Sequence, residues 1–64
     1  MDKLLLTATE AADVLGIGRT KVYELLRIGA IESVRVGKSR RIPATALHEY
    51  VEWLRAEASG YEVA

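Results

Sequence analysis

The feature that most constrains this chain is the spacing of small and apolar residues between Thr9 and Gly29. Ala12, Gly16, Val22 and Leu25 stand four, six and three residues apart. Thr7 and Glu10 have the spacing of a capping box, in which a hydroxyl and a carboxylate satisfy each other's backbone donors, so a helix is expected from about Ala8. Ala11, Ala12, Leu15 and the following Ile17 supply its apolar side, and Gly16 supplies the positive φ that ends it. A helix of about two turns is not stable alone and must be packed. Gly18 to Ile28 read as a second helix stopped by Gly29, with Val22, Leu25 and Leu26 inward and Ile28 closing the end. The small side chain at Ala12 lets the two helices cross closely, where a bulky one would push them apart.

Length and composition narrow the possibilities. Sixty-four residues are expected to form one domain, 1–64, with an ordered core from about 5 to 58 and a frayed tail from Ser59 to Ala64. A chain this small buries about 60% of its unfolded surface, so a marginal core and no separate effector domain are expected. There is no cysteine and a single histidine, which excludes a disulfide framework and a thiolate metal site, and no metal, cofactor or small-molecule ligand is expected. The apolar run Leu4 to Leu6 is far shorter than a signal h-region or a membrane span, so a cytoplasmic setting with no membrane partner is expected. No nucleophile stands with a base and no loop is built to cradle phosphate, so the chain does not read as an enzyme.

Net charge is zero, but its distribution is uneven. Between Gly18 and Arg41 lie Arg19, Lys21, Arg27, Arg35, Lys38, Arg40 and Arg41 against Glu24 and Glu32; outside that window Lys3 and Arg55 stand against seven acids. The basic middle suits a polyanion and the acidic ends face away from it.

The residues left outside on the second helix are Arg19, Thr20, Lys21, Tyr23, Glu24 and Arg27. Two short helices joined by a glycine turn, with arginines on the open face of the second, form a helix-turn-helix pattern, and the expected partner is double-stranded DNA. In that reading the first turn of the second helix enters the major groove, Arg19 pairs with guanine edges, and Thr20 meets a phosphate or a thymine methyl. Tyr23 and Arg27 follow on the same face, while Lys21 lies off that line and meets phosphate. The plain alternative is ordinary surface charge, with Glu24 paired to Arg27 or Lys21.

After Ala30 the periodicity becomes extended. Ile31 to Val36 alternate, Gly37-Lys38-Ser39 offer a turn, and Arg40-Arg41-Ile42 return before Pro43, which predicts a two-stranded hairpin of about five residues a side. Arg35, Lys38, Ser39, Arg40 and Arg41 make it a candidate wing on DNA. A last helix is expected from about Ala44 to Ala58, with Leu47, Tyr50, Val51, Leu54 and Ala58 as its buried stripe, Trp53 as a lid at its edge and His48 facing solvent. The fold class is therefore mainly α with a small β-hairpin: a winged helix-turn-helix of two helices, a two-stranded wing and a C-terminal helix.

The motifs Thr9-Glu10-Ala11-Ala12, Gly16, Arg19-Thr20-Lys21-Val22-Tyr23, Gly29, Val34-Arg35-Val36-Gly37 and Arg41-Ile42-Pro43 cover nearly the whole chain. Together they resemble the excisionase-type winged helix-turn-helix domains, also called recombination directionality factors, which are related to the DNA-binding heads of MerR-like regulators. Gly18 stands where a polar cap is usual, and Ser39-Arg40 where an aromatic is often found. The resemblance implies a protein of a phage or integrative element, nucleoid-associated in a bacterial host cell. Such a protein binds repeated sites cooperatively and bends DNA so that an integrase excises instead of integrating. Acidic and basic surfaces on one chain suit head-to-tail self-association on DNA, an open array instead of a closed dimer. A small transcriptional regulator of the same fold, and an antitoxin or adaptor working through protein contacts, are the alternatives.

Overall fold

The computed structural model describes the backbone of residues 3–63 and the side chains of residues 3–58. The elements run β1 (Leu5–Leu6), α1 (Ala8–Leu15), α2 (Arg19–Arg27), β2 (Val34–Val36), β3 (Ser39–Pro43) and α3 (Ala44–Val63).

Local chemistry sets the ends of both short helices. At the start of α1 the Glu10 N–H donates to Thr7 Oγ1 at 3.1 Å and the Thr7 N–H donates to Glu10 Oε1 at 2.9 Å, completing the capping box. At its end Gly16 takes φ 74°, Gly16 N–H reaches the Asp13 carbonyl at 3.3 Å, and Ile17 N–H reaches the Ala12 carbonyl at 3.0 Å. The same pair of closing bonds ends α2: Gly29, at φ 82°, donates to Leu26 at 3.2 Å and Ala30 donates to Leu25 at 2.9 Å. Two helices closed this way reverse direction within a few residues.

The Lys3 ammonium pairs with the Glu10 carboxylate that already caps α1. That bond, followed by the Thr7 N–H bond, holds the Glu10 carboxyl below its ordinary value. A carboxyl depressed in the folded state stabilises it above the unfolded value, and the contribution disappears as pH falls through the folded one. Thermal unfolding followed from about pH 6 down to about pH 2 should therefore show an acid-side decline that Glu10→Gln flattens. Because the pair is open to solvent, added salt should shrink the difference.

Ile28 does not close the end of α2: it is 66% exposed, while Ile31 is 2% exposed. The reversal at Gly29 explains the exchange, since it leaves Ile28 on the solvent side of the last turn and carries Ile31 back over the core. Ile31 is consequently outside the strand, which starts at Val34.

The wing is shorter on one side than its alternation suggests. Val34, Arg35 and Val36 pair antiparallel with Arg41, Arg40 and Ser39, so only Gly37 and Lys38 form the loop. Gly37 at φ 62° and no positive φ at Lys38 give the primed turn that matches strand twist, with glycine at its first central position. The sheet also has a third strand, because Leu5 and Leu6 pair with Pro43 and Ile42 on the other part of β3, giving the order β1-β3-β2. Pro43 has no N–H to give, and the next residue, Ala44, donates to the Leu4 carbonyl at 2.8 Å.

The core consists of Leu6, Ala11, Ala12, Val22, Leu25, Ile31, Ile42, Ala46 and Leu47, one or two residues from nearly every element. Among the described residues it contains no buried polar or charged side chain. Ala11 is fully buried and Ala12 is 6% exposed, so both alanines, and not Ala12 alone, sit where α1 meets its neighbours.

The buried stripe expected along the last helix stops early. Ala46 and Leu47 are buried and Tyr50 is half-buried, but Val51 is 38% and Leu54 is 42% exposed, and Ala58 is exposed as well. The reason is length: α3 has 20 residues, about 30 Å, whereas α1 with 8 and β3 with 5 cannot lie along all of it. Trp53 stacks on Tyr50, centroids 6.2 Å apart, but stays 56% exposed and so does not roof the core. The helical backbone continues to Val63, past the expected end at Ala58; Ala64 lies outside the described residues.

Candidate nucleic-acid interface

On α2 the buried residues Val22 and Leu25 fix which way the rest of the helix points. At 100° per residue, Arg19, Tyr23, Arg27 and Thr20 fall within one arc of about 100° on the other side. All four are exposed, Tyr23 by 56%. Lys21 is exposed too, off that arc, and its ammonium lies 3.3 Å from Glu24 Oε1. Gly18 occupies the N-cap in extended conformation without a side-chain bond, which leaves the first backbone N–H groups of α2 uncapped by any side chain. An oxyanion is favoured at such an end.

On the wing, Arg35, Lys38, Ser39 and Arg40 are exposed and Arg41 is half-buried. Arg35 and Arg40 are direct cross-strand partners. Arg40 Nη1 donates to Ser33 Oγ at 3.0 Å, and Arg41 Nη1 donates to the Arg40 carbonyl at 3.0 Å. Ser33 is a contact the sequence reading missed; its signal was its place two residues before Arg35, where an extended chain returns a side chain to the same face.

The electrostatics follow from what is not paired. Among the described residues the ion pairs are Lys3–Glu10, Lys21–Glu24 and Arg55–Glu52. Arg19, Arg27, Arg35, Lys38, Arg40 and Arg41 therefore keep their charge open toward solvent or a ligand. An apolar groove lies elsewhere, between α1 and α3, lined by Val14, Leu15, Ala44, Leu47, His48 and Val51. None of the arginines or lysines borders it.

Comparison with known proteins places this arrangement. A helix-turn-helix domain family matches residues 5–54, most of the chain. A probable excisionase of Saccharopolyspora erythraea is 53% identical over 58 residues, 91% of this chain and 59% of that protein. An excisionase of Streptomyces ambofaciens is 35% identical over 54 residues, 84% of this chain and 87% of that protein. A putative antitoxin, VapB50 of Mycobacterium tuberculosis, is 42% identical over 53 residues, 83% of this chain and 41% of that protein. No solved structure matches. The chain thus spans less than two thirds of its Saccharopolyspora relative and most of its Streptomyces one. Matched over the capped helices, the wing and the start of α3, the chain belongs to the excisionase family and has its helix-turn-helix DNA-binding fold.

Proposed function

We propose that this chain is an architectural DNA-binding protein that directs an integrase toward excision. Its family acts by binding and not by catalysis. The observation that carries the reading is the open arc of Arg19, Thr20, Tyr23 and Arg27 on α2 together with a wing whose cations have no carboxylate partner among the described residues. In this reading α2 lies in the major groove, Lys21 meets phosphate, and Arg35, Lys38, Ser39, Arg40 and Arg41 of the wing hold the flanking backbone.

A single module buries only about 600 to 1,000 Å² on DNA, so adequate affinity and any bend call for several copies bound side by side. The chain offers opposite charges for that: the basic wing at one place and Glu49 and Glu57 on exposed α3 at another, with Glu52 already paired to Arg55. Neighbours would dock head to tail on repeated sites near an attachment sequence, in the bacterial cytoplasm, associated with the nucleoid.

Footprinting on DNA that carries an attachment site, with and without integrase, tests this. Extended, periodic protection is expected, with integrase changing its edges. One isolated protected operator would instead support a small transcriptional regulator, and absence of protection at moderate salt would sink both in favour of a module working through protein contacts, the reading to which the likeness to a putative antitoxin belongs.

A further inference from the structure

Two guanidiniums directly across a β-ladder repel each other, because side chains of opposite residues on one face have Cβ atoms only about 4.5–5.5 Å apart. Arg35 and Arg40 are such a pair, and neither has an ion-pair partner among the described residues. Arg40 is nevertheless not free to swing away: its Nη1 donates to Ser33 Oγ at 3.0 Å. The choice of acceptor matters. A carboxylate at that position would hold Arg40 and cancel its charge, whereas a hydroxyl holds it and leaves the charge intact. Five guanidinium donors less the one given to Ser33 leave several facing outward, in the fork that suits phosphate oxygens. Arg41, half-buried and with its Nη1 on the Arg40 carbonyl, is opposite Val34 and so on the other face of the ladder, where it is not a third member of this pair.

We infer that Ser33 is a positioning residue that keeps Arg40 opposite Arg35, so that the two guanidiniums receive one phosphodiester of the DNA backbone. This rests on the reading that the wing meets DNA. The repulsion between the arginines is then relieved on binding, and the anion completes a site whose cations are already in place.

The test is a double-mutant cycle on the full chain, read by fluorescence anisotropy on a 24-base-pair duplex of random sequence across a salt series, with thermal unfolding measured on each variant. Arg40→Ala should lower the salt slope by about one and weaken binding to every sequence. Ser33→Ala should weaken binding by about three- to tenfold, the size of one side-chain hydrogen bond, with the unfolding midpoint little changed. In the Arg40→Ala background the Ser33→Ala change should have no further effect, and Ser33→Thr, which keeps the hydroxyl, should bind like wild type. Wild-type affinity for Ser33→Ala, or losses from Ser33→Ala and Arg40→Ala that simply add, would overturn the positioning role and leave the wing reading standing. Wild-type affinity for both Arg35→Ala and Arg40→Ala would overturn the wing reading and the inference with it.

Discussion

Ala12→Leu is expected to destabilise the protein by about 1 to 3 kcal/mol, the usual cost of forcing extra methylenes into a packed site. Ala12 is 6% exposed, beside fully buried Ala11, and α2 presents buried Val22 and Leu25 to the same core. Its carbonyl also receives the Gly16 and Ile17 N–H groups at 2.9 and 3.0 Å, so backbone movement to admit leucine would disturb the turn that aims α2. A core of nine small and medium side chains, with no buried polar anchor among the described residues, has little capacity to absorb that change. For a domain of this size each kcal/mol lowers the unfolding midpoint by about 4–8 °C. Calorimetry or circular dichroism should therefore show a drop well outside error. Asp13→Leu, one residue along and exposed, is the control and should move stability by no more than about 0.5 kcal/mol. Equal midpoints for Ala12→Leu and wild type would show that α1 and α2 do not cross through this alanine.

The parts of the fold that are legible in the sequence are those decided within a few residues. Thr7 with Glu10, Gly16, Gly29 and Gly37 each set an element boundary by local backbone chemistry, and each acts in the structure where its spacing indicated. The pairing of Leu5–Leu6 with Ile42 and Pro43 was not legible, because two apolar residues carry no periodicity and their partners lie far along the chain. Ile28 and Ile31 illustrate a different difficulty: both are apolar and near a helix end, and only the three-dimensional reversal at Gly29 decides which one is buried. On α3 the periodicity of Leu47, Val51 and Leu54 is genuine, but an amphipathic pattern states which face could pack, not how far the rest of the protein extends beneath it. The candidate interface divides in the same way. Which residues of α2 are outward follows from Val22 and Leu25 alone, whereas the Ser33 bond to Arg40 depends on strand register.

Arg19→Ala should separate recognition from simple charge attraction more sharply than any other change. Arg19 opens α2, is exposed, and has no ion-pair partner among the described residues, so the substitution removes nothing that the fold uses. If this residue reads a base edge, binding to the preferred sequence should weaken by about 1 to 3 kcal/mol, roughly five- to 150-fold, and preference at one base position should relax. Lys38→Ala, at the exposed tip of the wing, supplies the contrast: a phosphate contact carries no sequence information, so all duplexes should weaken alike and the salt slope should fall by about one. Both variants lose a single positive charge, and a purely electrostatic protein would treat them as equivalent. Competition binding against a panel of singly substituted sites, repeated at several salt concentrations, distinguishes the two behaviours. Preference unchanged by Arg19→Ala would move sequence reading away from the first turn of α2, toward Tyr23 and Arg27 further along the same arc.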